Sequence, residues 1–261
     1  MARKRVLFGA NVNWEPAVRA RLNSERYDYA FANFRTCDIS LYDLVVPLQL
    51  HDYIGLRQQD SATRGRAIFP AADVVELCHD KLRFNQLVAT SPLGWSIPPV
   101  LERVPPITPF IVKRRKDVNG QNAQIAHTPT DSVRLRAALE DPAYFAQTYV
   151  PGDTEFATHI LVRSGEPLYH LNIVYQMGVC GYVKNNQCKP LSLTTNRDEA
   201  YLSFFMSVLK LIGYDNGTCC FDYKFLNGRV QLLELNPRCG GSLREGLNDY
   251  LAAYETAVTA C

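Results

Sequence analysis

The feature that most constrains this chain is a β-hairpin that carries acidic residues among apolar neighbours. Residues 218–225 and 229–235 are rich in aromatic, β-branched and leucine side chains, and the Asn-Gly dipeptide at 227–228 is typical of a two-residue hairpin turn. Side chains two positions apart face the same side of a strand, so Glu234 and Asn236 share a face. This segment therefore predicts an antiparallel sheet with polar groups on one of its faces.

The same hairpin is expected to place Asp222 across from the Glu234 end of the partner strand. Two carboxylates and the amide oxygen of Asn236 then share one face. This set suits Mg²⁺, which takes one or two protein carboxylates together with nucleotide phosphates. The alternative is a surface hairpin with solvated charges. Glu234 argues against it, because Leu233 and Leu235 flank it and a carboxylate beside buried leucines needs a partner.

Size and composition are those of an ordinary globular protein. The chain has 261 residues, 47% of them hydrophobic, and a formal net charge of +2, so neither nucleic acid nor a membrane is expected as a partner. No apolar run approaches the roughly 20 residues of a spanning helix. The eight cysteines show no Cys-x-x-Cys spacing, which favours reduced thiols in a cytoplasmic protein over a zinc site or a disulfide framework.

The first third of the chain alternates between strand and helix patterns. Residues 4–12, 29–32 and 43–48 are predicted strands, and residues 15–25 are a predicted helix. This order favours a small Rossmann-like half-domain with ligands near the carboxyl ends of its strands. A further helix is predicted to begin at Asp80, a residue type that caps helices well.

The remaining two thirds predict mixed α and β structure. Six prolines in residues 91–109 predict an extended connector, and the polar residues 114–122 predict a loop. The predicted strands are residues 109–113, 145–150, 155–162, 168–176, 218–225 and 229–235. The predicted helices are residues 130–140, 198–213 and 243–257.

The hairpin sequence Asp222…Glu234-Leu235-Asn236-Pro237-Arg238 resembles the magnesium motif of the ATP-grasp superfamily, which includes D-alanine–D-alanine ligase and carbamoyl phosphate synthetase. The resemblance implies an α/β protein with the ATP-grasp fold, in which two α+β lobes clamp ATP. The implied domains are a short Rossmann-like domain over residues 1–78, a small lobe with a linker over residues 79–145, and a large lobe with the hairpin over residues 146–261.

The resemblance also implies that four basic residues contact phosphate groups. Lys81 matches the Asp-Lys start of a helix and is implied to contact the α- or β-phosphate. Lys113 ends an apolar strand, where a fixed ammonium is a suitable phosphate partner. Lys184 is a candidate for the γ-phosphate, and Arg238 for the transferring phosphate or an acyl-phosphate. For Lys81 and Lys184 the alternative is a solvated surface lysine.

The segment around residues 147–155 resembles the adenine hinge of the superfamily. Backbone groups near Tyr149 and Val150 are the implied adenine contacts, and Glu155 is implied to hold the ribose hydroxyls. Gln147 or Thr148 stands where the superfamily has a glutamate, and both types can hydrogen-bond an amine.

Two loops are further candidates for ligand contacts. The superfamily has a glycine-rich loop over the phosphates, whereas residues 114–122 contain one glycine and three basic residues, which are expected to cover phosphates through amides and charge. After Gly240-Gly241, which allows close approach of an anion to the backbone, Ser242 and Arg244 are candidates for contact with a substrate carboxylate.

The resemblance implies an enzyme that joins a small carboxylate, such as an amino acid, to an amine through an acyl-phosphate. ATP and Mg²⁺, with Mn²⁺ as an alternative ion, are the implied cofactors, and a homodimer is left open. Two other functions also stay open. One is ATP-dependent phosphotransfer to a hydroxyl or an amine, and the other is a regulatory protein that binds a nucleotide without turnover.

Overall fold

The structure is a computed structural model that describes residues 2–101, 109–117, 120–179, 181–184 and 188–259. Within these ranges it has twelve strands in three sheets and eight α-helices. The strands are β1 (Lys4–Gly9), β2 (Tyr27–Ala32), β3 (Leu44–Val46), β4 (Val100–Leu101), β5 (Phe110–Arg114), β6 (Gln124–Ala126), β7 (Tyr144–Thr148), β8 (Thr154–Arg163), β9 (Glu166–Gln176), β10 (Ser192–Asn196), β11 (Gly217–Leu226) and β12 (Arg229–Asn236). The helices are α1 (Glu15–Arg21), α2 (Asp52–Arg57), α3 (Ser61–Arg64), α4 (Ala72–His79), α5 (Lys81–Ala89), α6 (Pro129–Leu139), α7 (Leu202–Leu211) and α8 (Leu247–Thr259).

The N-terminal sheet is parallel and has the order β2-β1-β3. Parallel strands need crossover connections, and α1 supplies the one between β1 and β2. The central strand β1 is apolar on both faces, with Val6 and Phe8 in one core cluster and Leu7 in another. The segments that follow the carboxyl ends of β1 and β3 line one large cavity. The predicted strand-helix-strand-strand order is therefore present in this sheet.

The central sheet is antiparallel and has the order β10-β9-β8-β11-β12. Both of its faces are covered, because α8 packs on one core cluster and α7 on the other. The adjacent residues Cys219 and Cys220 lie in different clusters, which places their side chains on opposite faces of β11. Asn227 and Gly228 have φ values of 52° and 73°, which suits the tight turn between β11 and β12.

The third sheet is small, antiparallel and has the order β4-β7-β5-β6. Its core consists of Phe110, Val112, Ala126, Ala146 and, from α6, Leu135. The helix begins with a capping box in which Thr128 and Asp131 satisfy each other's backbone amides. This sheet carries Lys113 and Gln147 to the same cavity that the central sheet lines.

Several predicted bounds differ from the observed ones. Of the helix predicted over residues 198–213, only the part that forms α7 is helical. A strand that was not predicted, β10, precedes α7 in the chain and pairs with β9. The pattern at 243–257 begins as a 3₁₀ turn and becomes α8 at Leu247. The helix predicted over residues 15–25 ends at Arg21, because Leu22 has extended dihedral angles.

The division into three domains stays a prediction, and its boundary after residue 145 lies inside β7. None of the helices in the described ranges is long and apolar enough to cross a membrane.

Candidate active site

A cavity of about 1210 Å³ lies between the three sheets. It is lined by the ends of the N-terminal strands, the inner faces of β5 and β7, the hairpin β11–β12, and the segments around residues 182–184 and 238–244. All of the site residues predicted from the sequence line this one cavity, namely Lys81, Lys113, Gln147, Tyr149, Val150, Glu155, Lys184, Asp222, Glu234, Asn236 and Arg238. Their individual roles stay predictions.

The hairpin brings its polar residues together as its pattern predicts. Asp222 on β11 pairs directly with Glu234 on β12, and Cys220 pairs with Asn236. The side-chain nitrogen of Asn236 donates to Asp222 Oδ2 at 3.1 Å and to Glu234 Oε1 at 2.8 Å. Two carboxylates and an amide therefore form one contiguous group at the cavity wall, and a rotation of the amide presents its oxygen instead.

Each carboxylate of this group is paired with a lysine. Lys81 Nζ lies 2.8 Å from Glu234 Oε2. Lys184 Nζ lies 3.0 Å from Asp222 Oδ1 and 2.5 Å from Glu155 Oε1. The cavity wall thus alternates between negative and positive groups, so neither lysine has the solvated surface position that the alternative interpretation requires.

Burial and these pairings set the protonation of the group. Burial raises the pKa of Asp222 to about 6, although Lys184 opposes the shift. Burial also acts to raise the pKa of Glu234, but the charge and hydrogen bond of Lys81 outweigh it and hold that pKa low. For Lys184, burial favours the neutral amine, but Asp222 and Glu155 raise its pKa above the usual value. The wall therefore carries fixed charges of both signs near neutral pH.

Lys113 is held by contacts from two sheets. Its ammonium donates to Gln147 Oε1 at 2.8 Å and to the carbonyl of Leu233 at 3.2 Å. Burial, followed by repulsion from Lys81, lowers the pKa of Lys113 to about 8. Gln147 is fully buried and donates its own amide to the carbonyl of Pro98 at 2.7 Å. The side chain of Gln147 therefore orients Lys113, and its contact with a nucleotide stays a prediction.

A buried lysine donates hydrogen bonds to the backbone of the predicted adenine hinge. Lys224 Nζ donates to the carbonyls of Val150 at 3.3 Å and Gly152 at 2.9 Å. The same ammonium lies 4.2 Å from the ring centre of Tyr182 and 5.4 Å from that of Tyr149. These contacts fix the hinge backbone at the cavity wall.

The loop over residues 114–122 presents one of its three basic side chains to the cavity. Arg114 lines the cavity, but Arg115 forms a two-pronged ion pair with Asp80, and Lys116 lies 2.8 Å from Glu76. Two of the three basic residues thus connect the start of the loop to the helices α4 and α5. Arg115 and Lys116 do not line the cavity, and the expectation that the loop covers phosphates through amides and charge stays a prediction. Residues 118–119 lie outside the described ranges.

The segment after the hairpin supplies the other end of the cavity wall. Arg238, Ser242 and Arg244 all line it. The need for glycine differs between the two adjacent positions. A Cβ on Gly240 would lie 2.5 Å from the His159 ring and 3.0 Å from the Cys220 sulphur, whereas a Cβ on Gly241 would meet nothing within 4 Å.

Sequence reasoning missed Tyr175 and Lys224, which line this wall, and His159, which lies behind it. The strand period carries a signal for two of them. His159 lies four positions after Glu155 on β8, and Lys224 lies two after Asp222 on β11, so each shares a strand face with a predicted site residue. Tyr175 lies on β9, directly across from Glu155. A polar or aromatic residue at such a position is a candidate even without a motif.

The site offers a limited set of donors for a metal ion. Among the residues that the structure describes, no group of three or more His, Cys, Asp and Glu side chains is arranged to hold one. The hairpin offers Asp222, Glu234 and the amide oxygen of Asn236. Mg²⁺ bound mainly through phosphates needs no more than this. The ammonium groups now paired with these carboxylates show that the group attracts positive charge.

The sequence matches no protein-family profile and no curated protein. Its structure is similar to several solved structures. D-alanine–D-alanine ligase from Bacillus anthracis complexed with ATP has a TM-score of 0.56 and 12% identity, with 100% of this chain and 98% of that chain covered. Phosphoribosylamine–glycine ligase from Thermotoga maritima has a TM-score of 0.66 and 12% identity over 97% and 75% of the two chains. L-amino acid ligase from Bacillus licheniformis has a TM-score of 0.60 and 14% identity over 99% and 75%.

TM-scores of 0.56 to 0.66 over nearly the whole chain show a shared fold, and identities of 12% to 14% show no more than the fold. These neighbours have the ATP-grasp fold, and so does this chain. The fold class implied by the hairpin motif is therefore confirmed.

Proposed function

We propose that this chain is an ATP- and Mg²⁺-dependent ligase that joins a carboxylate to an amine through an acyl-phosphate. The observation that carries the proposal is the alternation of carboxylates and lysines along one cavity wall. In the ion pairs Lys81–Glu234 and Lys184–Asp222, each lysine could bind an incoming anion and each carboxylate an incoming cation. The solved structures that share the fold are named as ligases of amino acids and of glycine with an amine, which supports the same reaction class.

The acidic and basic residues of the site would bind different parts of the Mg-ATP complex. Asp222, Glu234 and the Asn236 oxygen would hold Mg²⁺, which supplies charge neutralisation and orientation of the phosphates when bound. Lys81, Lys113, Lys184 and Arg238 would hold phosphate oxygens. This set would position the reactants and stabilise charge without a covalent enzyme intermediate.

The hinge would hold the nucleoside part of ATP. Lys224 keeps the backbone of residues 150–152 in place, so that adenine would meet a fixed edge of backbone groups. Glu155 is buried and one residue into β8, where it would accept hydrogen bonds from ribose hydroxyls once Lys184 moves to a phosphate.

The proposed reaction has two balanced steps. A carboxylate oxygen of the acid attacks the γ-phosphorus, and the bond from that phosphorus to the β-bridging oxygen breaks, which gives an acyl-phosphate and ADP. The nitrogen of the amine then attacks the acyl carbon, the carbon–oxygen bond breaks, and inorganic phosphate leaves as the nitrogen loses a proton.

The test is ADP and phosphate release with Mg-ATP across pools of amino acids and small carboxylates. We expect release that needs both an acid and an amine, and loss of release in Glu234→Gln. Glu166→Gln, an exposed position on β9, is the matched control. A phosphorylated acceptor without free phosphate would instead indicate phosphotransfer. ATP binding without turnover on any pool would favour a regulatory protein.

A further inference from the structure

His159, Tyr175 and Ser242 form a hydrogen-bonded cluster at the cavity wall that the proposed reaction has not used. His159 Nε2 lies 2.8 Å from Ser242 Oγ. The Tyr175 hydroxyl donates to the same oxygen at 2.6 Å. Tyr175 and Ser242 line the cavity, whereas His159 lies behind them and is fully buried.

The fold fixes the position of the His159 ring. Gly240 packs against it so closely that a Cβ there would lie 2.5 Å from the ring carbon Cε1. Burial, together with the positive charges of Lys184 and Arg238, lowers the pKa of His159 to about 3. The imidazole is therefore neutral near pH 7 and carries one proton on one of its two nitrogens.

Two observations place that proton on Nε2. First, Nδ1 of His159 is buried and has no hydrogen-bond partner, and an orphaned buried N–H is less tolerated than an orphaned acceptor. Second, the Cys220 sulphur lies 4.0 Å from both Nε2 and the carbonyl oxygen of Phe221, so the thiol proton can point to that carbonyl while a sulphur lone pair points to Nε2. A proton on Nε2 can therefore be accepted by the Ser242 oxygen and by the sulphur, whereas a proton on Nδ1 meets no acceptor.

With the proton on Nε2, Ser242 Oγ accepts from His159 and from Tyr175 at once. A hydroxyl oxygen has two lone pairs, and both are then occupied. We propose that His159 and Tyr175 are positioning residues that make the Ser242 hydroxyl an obligate hydrogen-bond donor into the cavity, where it selects a substrate carboxylate. This inference rests on the proposed ligase function, because it names a feature of the substrate of that reaction.

A carboxylate is the ligand class that the surroundings favour. Arg238 and Arg244 line the same cavity as Ser242, and the guanidinium fork matches the geometry of a carboxylate. A hydroxyl that only donates pairs with an oxygen acceptor and leaves an ammonium or amide N–H without a partner. The carboxylate belongs either to the acid or to an amino acid that acts as the amine, and the test has one arm for each source.

The first measurement determines which ring nitrogen of His159 is protonated, and it requires no catalytic turnover. In ¹⁵N-histidine-labelled protein, the ring nitrogens of His159 are assigned by comparison with His159→Gln, and the protonated nitrogen is identified from its chemical shift. We expect Nε2 to carry the proton and Nδ1 to stay unprotonated down to about pH 5. Protonation at Nδ1 would overturn the proposal, because Ser242 would then donate to His159.

The second measurement is binding by saturation-transfer NMR with Mg²⁺ and a non-hydrolysable ATP analogue. The two probes are N-acetyl amino acids, which serve only as acids, and free amino acids compared with their carboxamides. In Ser242→Ala we expect affinity for the carboxylate-bearing probe to fall roughly 10- to 100-fold, the worth of a hydrogen bond to a charged group. The arm that loses affinity identifies the source of the carboxylate.

Positioning variants separate this role from a structural one. Tyr175→Phe and His159→Leu each remove a hydrogen bond to Ser242 and so free a lone pair of its oxygen. We expect both variants to lower the ratio of the affinity for the carboxylate probe to the affinity for the carboxamide. His159→Gln restores a side-chain N–H and should recover part of that preference. Tyr169→Phe removes a buried hydroxyl from the same strand outside the cavity and is the control. The same ratio of carboxylate to carboxamide affinity in Tyr175→Phe, His159→Leu and the unaltered protein would overturn the proposal.

Failure of this proposal differs from failure of the ligase function. Loss of turnover on every pool, with Nε2 protonated and with selective carboxylate binding, would contradict only the reaction. Normal ligation with no effect of Ser242→Ala on the carboxylate preference would contradict only the inference about Ser242.

Discussion

Lys81 at the first position of α5 and Glu234 near the end of β12 form an ion pair at 2.8 Å, although 153 positions separate them in the chain. The helix cap at Asp80 orients the first turn of α5, and the hairpin orients Glu234. Both side chains are mostly buried. The pair therefore ties the strand that carries the predicted metal group to the helix that carries a predicted phosphate contact.

Replacing Glu234 by Gln is expected to reduce stability as well as activity. The change leaves the Lys81 ammonium buried without its counter-charge, which costs about 3 kcal/mol of unfolding free energy. Glu76→Gln breaks the Lys116–Glu76 pair, which has the same 2.8 Å distance but side chains that are 51% and 61% exposed. Chemical denaturation should show a loss below about 0.5 kcal/mol for this control. Equal losses in the two variants would contradict the account of the buried pair.

Lys113 gives a pH-dependent prediction. Its pKa in the folded protein is about 8, against 10.5 for an ordinary lysine. From about pH 8 to 10.5 the unfolded chain holds a proton that the folded chain has lost, so the contribution of Lys113 to the unfolding free energy rises with pH in that window. Below it, the buried charge lowers stability.

The same pKa predicts a proton linkage on nucleotide binding. If Lys113 contacts a phosphate, binding of Mg-ATP at about pH 9 should take up a fraction of one proton. Calorimetry in buffers with different ionisation enthalpies measures this uptake. Lys113→Arg should abolish it, because a guanidinium stays charged. The same uptake in both proteins would assign it to another group.

Lys224→Met is expected to weaken ATP binding by loosening the hinge. The carbonyls of Val150 and Gly152 lose their buried donor, so the backbone edge proposed to meet adenine becomes less fixed. We expect the KM for ATP to rise about tenfold, which corresponds to about 1.4 kcal/mol, with the KM values of the acid and amine unchanged. Lys210→Met in the exposed last turn of α7 is the control. Parallel changes in all KM values would point to general destabilisation instead.

Gly240 and Gly241 provide a matched pair of substitutions. Gly240→Ala places a methyl group 2.5 Å from the His159 ring, and overpacking of this kind costs about 1–3 kcal/mol. Gly241→Ala meets nothing within 4 Å and should change the unfolding free energy by less than about 0.5 kcal/mol. Thermal or chemical denaturation of the two variants decides this. A similar effect of both would show that the His159 ring does not set the requirement for glycine.

Local sequence patterns predicted the part of the site that lies within one hairpin. The period of a strand and an Asn-Gly turn are enough to place Asp222 opposite Glu234. The pairings of Lys81 and Lys184 with these carboxylates depend on the packing of distant elements, and no local pattern specifies them. The resemblance to a known superfamily supplied those residues instead.

The missed elements also have physical reasons. The strand β10 is exposed at every position, so it carries no burial period and depends on its pairing with β9. His159 is one of several polar residues on β8, and its contact with Ser242 joins residues 83 positions apart, which no local pattern specifies. The ion pairs of Arg115 and Lys116 with Asp80 and Glu76 likewise depend on tertiary approach.

The most direct test of the central claim is isotope transfer from the acid to phosphate. The acid identified in the release assay is labelled with ¹⁸O in both carboxylate oxygens and allowed to react with Mg-ATP and the amine. Activation through an acyl-phosphate predicts inorganic phosphate that carries one ¹⁸O atom and an amide that keeps the other. Unlabelled phosphate, or a phosphorylated acceptor with no free phosphate, would contradict the account.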